Sequence, residues 1–275
     1  MDAAAVKMDT ADVEEHLLVA HDGPVMTITL NRPRQRNAIT KEMISGIAAA
    51  ARAAGNDDRT RAVLITSNGD DFCAGIDLVQ SNAEQTKPRT GHLERRMQYG
   101  AHEMILELDA LQVPVVAAVR GWAAGIGNMI ALSADVVVAT PSTKFWVPMV
   151  KRGFTPDSGN TWLLPRLVGL ARAKEMVLRG EPVDGRQAVE WGLITRCVPE
   201  DELDSTAATL VHEFANAATV AIGLSKRLLH ANLAVDLRTG LHNEAMHEEL
   251  ATRSDDFKEG MRSFVQRRTP DYTGR

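Results

Sequence analysis

The chain has 275 residues, 44% of them hydrophobic and 24% charged, with 31 basic against 36 acidic side chains for a net charge of −5. That length can bury one substantial core, and the acidic balance excludes a nucleic-acid binder that works through bulk positive charge. Two cysteines, Cys73 and Cys197, make neither a CxxC pair nor a disulfide scaffold, which fits a reducing compartment.

The first residues, MDAAAVKMDTADVEEH, carry Asp and Glu where a secretory signal would carry a basic stretch and an apolar run. No segment reaches about 18 uninterrupted apolar residues, as a membrane span would require. The expectation is a cytoplasmic protein, frayed before about His16, with neither a membrane nor a nucleic acid as partner.

From Leu17 to Leu30, two β-rich runs flank the turn signal Asp22-Gly23-Pro24 and predict a hairpin. A polar loop, Asn31 to Asn37, leads to Thr40, placed to cap a helix that runs to about Ala53. Ala62-Val63-Leu64-Ile65-Thr66 and Val113 to Val119 read as buried strands. A Gly-rich turn follows the second, then an apolar helix over about Gly125–Ser133 and a strand over Asp135–Ala139. This order predicts an α/β core whose chemistry sits on the loops at strand ends. After about Asp201 the pattern changes to consecutive helices over 201–217, 221–234, 236–253 and 255–266. The expected division is a core over 1–200 and a helical oligomerisation and lid region over 201–275.

Two loops stand out, Asp71-Phe72-Cys73-Ala74-Gly75-Ile76-Asp77-Leu78 and Arg120-Gly121-Trp122-Ala123-Ala124-Gly125-Ile126-Gly127-Asn128. Small residues let a ligand approach the main chain. The second loop also opens a helix, whose first amides favour a developing negative charge.

These loops belong to a larger set of motifs: N-R-P-x-x-x-N-A at 31–38, F-C-A-G-I-D at 72–77, P-V-V-A-A-V-R-G-W-A-A-G at 114–125, Ser133-Ala134-Asp135, Trp191-Gly192-Leu193-Ile194 and F-V-Q-R-R-T-P-D-Y-T-G at 264–274. In this order they resemble the crotonase (enoyl-CoA hydratase/isomerase) superfamily from about Leu17 to Tyr272. The resemblance implies an α/β spiral of repeated ββα units with a C-terminal helical region, assembled as a homotrimer or a dimer of trimers. It implies an acyl-CoA thioester as substrate, with coenzyme A entering as part of that substrate and no tightly bound cofactor or metal. It also implies an oxyanion hole of two peptide amides, matched to Ala74 and Ile126. The bulky Ile126 keeps its donor but narrows the pocket.

The family's hydratases hold a water between two glutamates, which would fall at Met129 and Met149. Methionine can neither take a proton nor orient water, so the two-carboxylate hydration route is lost whether these side chains line the pocket or only fill the core. Asp157, in Gly153-Phe154-Thr155-Pro156-Asp157-Ser158-Gly159-Asn160, stands where the epoxyphenylacetyl-CoA isomerase subgroup and the dienoyl-CoA isomerases carry an acid/base. The same aspartate is suited to cap a helix, and both roles stay open. Beside Met129, Met149 and Phe154 it would lose hydration, which raises a carboxyl pKa toward the range useful for a 1,3-proton shift.

The resemblance also implies a substrate pocket bordered by Gly75, Ile76, Asp77, Leu78, Trp122 and Gly125. Arg34 and Arg36, with the backbone at Ala38, would flank the pantetheine and adenine. Phe264 and Arg267 would reach in from the last helix, of the same or a neighbouring subunit. Asp77 and Asp135 read as structural acceptors. Cys73 has no histidine placed to activate it, while His92 and His102 lie in a stretch near the acyl pocket. The rival readings are a residual hydratase, a dehalogenase-like enzyme and an acyl-CoA binder without chemistry.

Overall fold

A computed structural model of the chain describes residues 16–77 and 89–275. Leu78 and the N-terminal stretch expected to fray lie outside them. The predicted hairpin forms from β1 (Leu17–Asp22) and β2 (Val25–Leu30), antiparallel and in register from Leu17 opposite Leu30 to Asp22 opposite Val25. Alternation explains its two faces: Val25, Met26, Ile28 and Leu30 are buried, while most of β1 beyond Leu17 faces out.

β3 (Ala62–Ser67), β4 (Val115–Val119), β6 (Val136–Ala139) and the short β9 (Arg196–Cys197) join β2 in parallel, giving a six-stranded sheet in the order β1-β2-β3-β4-β6-β9. All five residues of β4 are buried, as a central parallel strand covered on both faces requires. A second sheet, β5 (Trp122–Ala124), β7 (Lys144–Trp146) and β8 (Val183–Asp184), stands beside the loops that leave β3 and β4.

Helix α1 (Lys41–Asn56) starts where expected: the Thr40 hydroxyl accepts the Met43 amide at 3.2 Å. Its face of Met43, Ile44, Ile47, Ala51 and Ala54 packs into the core. Two helices flank a π-helical turn, α2 (His92–Met97) before it and α3 (Glu103–Asp109) after it, with the turn itself at Gln98–His102. Next come α4 (Ile126–Leu132), buried on every side, α5 (Asn160–Lys174) and α6 (Gly185–Trp191).

The C-terminal helices form as predicted, α7 (Leu203–Ala215), α8 (Thr219–Asn232), α9 (Leu237–Ala251) and α10 (Asp255–Gln266). The division at 200/201, however, runs through packed structure. Leu203, Ala207, Leu210, Val211 and Ala215 of α7 cover Val25, Ala62, Val116, Ala118 and Val138 on the sheet. Each fully buried large side chain of this kind contributes about 1.5–3 kcal/mol. Lys226 of α8, itself buried, donates to Asp135 at 2.8 Å, and the Val115 amide donates to the same carboxylate at 2.7 Å; Asp135 is thus the structural acceptor expected. Only beyond this point do the helices become largely exposed. Their end is tied back through Asp256, which accepts the amides of Thr273 and Gly274, and through Arg61, which donates to the Tyr272 carbonyl.

Candidate active site

The two loops at the ends of β3 and β4 zip together. The Phe72 amide donates to the Arg120 carbonyl at 2.8 Å, Cys73 to Trp122 at 2.7 Å, and Ala124 back to Cys73 at 2.9 Å. Asp71 braces this contact: its carboxylate accepts the Trp122 amide at 2.8 Å and Arg36 Nε at 2.6 Å. Helix α4 approaches so closely that Gly127 has no room for a side chain, since a Cβ there would stand 2.6 Å from that of Cys73. The Cys73 thiol, fully buried, is pushed up to about 12 by that burial, which removes it as a nucleophile.

One of the two amides expected as oxyanion donors is engaged within the chain. The Ala74 amide already donates to the Arg36 carbonyl at 2.9 Å, and a peptide N–H makes one strong hydrogen bond. The neighbouring geometry turns a different amide free. Ile39 bridges Ile76 in parallel, its amide donating to the Gly75 carbonyl at 2.8 Å and its carbonyl accepting the Asp77 amide at 2.9 Å. That pairing sends the Ile76 N–H away from Ile39, and among the described residues it meets no acceptor. The Ile126 amide likewise has none: it follows Gly125 (φ 56°, ψ −114°), whose own amide is held by the Trp146 carbonyl. Gly75 lies against the Ala124 carbonyl, so the two loops touch close in sequence to these amides.

Both methionines lie at the site, nearly buried. Met149 Cε is 3.5 Å from where a Gly125 Cβ would stand, and Met129 Cε is 3.1 Å from the same point on Gly159. They therefore place apolar atoms against the Gly125 loop and against the Asp157 turn. Asp157 is half-buried, and loss of hydration raises its carboxyl above the ordinary range; the Ser158 hydroxyl, at 3.2 Å, and the charge of His102 pull the other way. The helix-capping role is not the one adopted. The N-cap of α5 is Gly159, without a side-chain cap, and the Asp157 carboxylate accepts the neighbouring Ser158 hydroxyl while its main-chain carbonyl accepts Asn160.

Trp122 packs edge-on against Trp146 at 5.1 Å, with Arg36 over its ring at 5.8 Å. Arg36 is thus held by Asp71, whereas Arg34 sits exposed on the 3-10 turn Pro33–Gln35. The Ala38 carbonyl accepts Arg32 Nη1 at 2.5 Å, and the same nitrogen reaches Asp77 at 3.1 Å, giving Asp77 its structural partner. Phe154 is about half exposed at the rim. Phe264, 79% exposed, and Arg267, at the exposed C-cap of α10, are not brought to these loops by the described contacts within one chain. Arg32, Asp71, Asn128 and Asn160 were not singled out by sequence reasoning. Their signal was a polar residue set inside a motif, glycine-bearing for Asp71, Asn128 and Asn160 and the 31–38 loop for Arg32.

The enoyl-CoA hydratase/isomerase family description matches residues 21–275. Among characterised relatives, the 1,2-epoxyphenylacetyl-CoA isomerase of Escherichia coli K12 is 38% identical over 95% of this chain and 99% of its own. The 2,3-dehydroadipyl-CoA hydratase of the same organism is 35% identical over 94% and 99%. The crystal structure of an enoyl-CoA hydratase from Bacillus anthracis superposes with a TM-score of 0.88 at 29% identity, covering 94% of this chain and 100% of that one. The chain therefore belongs to the enoyl-CoA hydratase/isomerase family: its fold is the crotonase fold, and its substrates are acyl-CoA thioesters.

Proposed function

We propose that the protein isomerises an unsaturated acyl-CoA, moving a double bond through a dienolate with Asp157 as its single acid/base. The observation that carries this reading is the apolar pair Met129 and Met149, which leaves Asp157 as the carboxylate beside the oxyanion loops. The thioester carbonyl oxygen accepts the Ile76 and Ile126 amides. The Asp157 carboxylate takes the C2 proton of a 3-enoyl thioester, the C–H electron pair forms a C1–C2 double bond while the carbonyl π pair moves onto oxygen to give the dienolate, and the acid returns the proton at C4 as the C3–C4 double bond shifts to C2–C3 and the carbonyl re-forms. The product is the 2-enoyl thioester, with atoms and charge in balance. Each amide donor in such a site contributes about 3 kcal/mol to the enolate-like transition state. A methionine wall cannot orient a second reactant, so water is not delivered to C3.

Arg34 and the main chain at Ala38 border the coenzyme A moiety, and Phe264 and Arg267 contribute from a neighbouring subunit. The exposed apolar residues Leu229, Leu233, Leu237, Leu241 and Leu250 support assembly as a homotrimer or dimer of trimers, which light scattering measures directly. The deciding experiment offers purified protein a panel of 2-enoyl, 3-enoyl and ring-derived CoA thioesters. 1,2-Epoxyphenylacetyl-CoA belongs in the panel because of the 38% identical relative. Double-bond migration without water addition is expected. Hydration at a rate that rivals migration overturns the one-carboxylate reading, and binding without any turnover leaves an acyl-CoA binder.

A further inference from the structure

The turn that presents Asp157 is held in an unfavourable shape. Its carbonyl accepts the Asn160 amide at 3.1 Å across two residues with positive φ, Ser158 at 54° and Gly159 at 94°. Gly159 adopts this at little cost and could not carry a Cβ, because Met129 Cε stands 3.1 Å from that position. Ser158 is different: it is 3% exposed, has a Cβ, and occupies the left-handed region that such residues avoid. A conformation of this kind persists only where the surroundings over-determine it.

The surroundings here are a buried amide relay. Asn160 Nδ2 donates to the Asp157 carbonyl at 2.8 Å, reinforcing the bond already made by its own main chain. Asn128 Nδ2 in turn donates to Asn160 Oδ1 at 3.0 Å, and both asparagines are 0% exposed. Asn128 lies on α4, two residues after the Ile126 amide, and Met129 beside it closes over Gly159. One short helix therefore carries an oxyanion donor and two contacts that grip the Asp157 turn. The relay is an uneconomical way to stabilise a fold, since Asn128 Oδ1 is buried with no hydrogen-bond partner among the described residues.

We infer that Asn128 and Asn160 are positioning residues that fix the Asp157 carboxylate relative to the Ile126 amide by clamping the strained 157–160 turn to helix α4. The inference rests on the reading of Asp157 as the acid/base and adds how its geometry is set. Proton transfer from a carbon acid depends steeply on that geometry, so releasing the clamp lowers the chemical step and leaves binding largely intact.

The test compares Asn160→Ala, Asn128→Leu, the double variant and Asp157→Asn, using double-bond migration in a 3-enoyl-CoA thioester, with thermal melting to show that each variant is folded. Asn160→Ala is expected to lower kcat by about 100-fold with KM within about threefold. Asn128→Leu, which keeps the buried volume, should lower kcat by about tenfold, and the double variant should be no worse than Asn160→Ala, because the two act as one chain. The acidic limb of the rate profile should also move down toward the ordinary carboxylate range as the relaxed turn admits water to Asp157. If Asn160→Ala does not fold, Asn128→Leu decides. Folded variants that keep kcat and the acidic limb within about twofold of wild type, while Asp157→Asn is inactive, overturn the clamp alone. An Asp157→Asn protein that still turns over removes the acid/base reading beneath it.

Discussion

Gly127 lies directly against Cys73: a Cβ on the glycine would stand 2.6 Å from the cysteine Cβ and 2.7 Å from its carbonyl oxygen and sulfur. This contact sets the distance between helix α4 and the first loop, and so between the two free amides. Gly127→Ala is expected to destabilise the protein by about 1–3 kcal/mol through overpacking and to lower kcat as the Ile126 amide is displaced. Denaturant midpoints and turnover read the two effects, and an unchanged kcat would show that the loops tolerate separation.

Asp157 allows a prediction whose sign follows from its raised carboxyl. A carboxyl that binds its proton more tightly in the folded state stabilises the fold fully below the ordinary carboxylate pKa, and this contribution is lost as pH rises through the raised folded value. Asp157→Asn, which cannot ionise, should therefore melt higher than wild type at neutral pH, with the advantage disappearing in acid. Turnover should vanish at every pH. In wild type the rate should rise with pH through a limb lying above the usual carboxylate range, since only the ionised form takes the C2 proton.

The methionine wall separates volume from chemistry. Met149→Leu, which conserves volume and polarity, should cost under about 1.5 kcal/mol and leave migration within about threefold. Met149→Glu puts a carboxylate beside Gly125 among apolar atoms. It should destabilise by about 1–3 kcal/mol and slow migration, while giving water a first foothold that appears as addition to a 2-enoyl thioester. A Met149→Glu protein that migrates double bonds as fast as wild type would show that Met149 is remote from the reacting carbons.

Arg32 joins loop 31–38 to loop 71–77, with one nitrogen on the Ala38 carbonyl and on Asp77, both side chains of the ion pair being largely buried. Arg32→Ala removes two charge-assisted hydrogen bonds from this corner and should cost about 1–3 kcal/mol of stability. It should also raise KM more than it lowers kcat, because loop 31–38 loses its registry with loop 71–77. Calorimetry and steady-state kinetics on a single thioester check both.

Much of this fold was legible along the chain because its signals are local. The Leu17–Leu30 hairpin follows from alternation around Asp22-Gly23-Pro24, α1 starts at a threonine that caps it, and β4 is an unbroken apolar run; each needs only its own neighbours. The side sheet of β5, β7 and β8 was not legible, since strands of two or three residues show no periodicity. Nor was the place of α7 on the sheet, because an amphipathic helix records that it covers something, not what it covers.

The same distinction runs through the site. Sequence by itself determined the family motifs, the absence of both hydratase glutamates and the survival of Asp157, because these are matters of which side chain stands at which position. It could not determine which amide in Cys73-Ala74-Gly75-Ile76 is free, and the expectation fell on Ala74. Every residue there offers the same N–H, and its direction depends on what pairs with the chain from the far side. The pairing of Arg36 with Ala74 and of Ile39 with Ile76, made by residues some 37 positions earlier in the chain, engages the first amide and turns the second outward. The choice between Asp157 as cap and as a half-buried carboxylate that does not cap was likewise made by contacts distant in sequence, where Asn128 and Met129 meet a turn that no local preference would select.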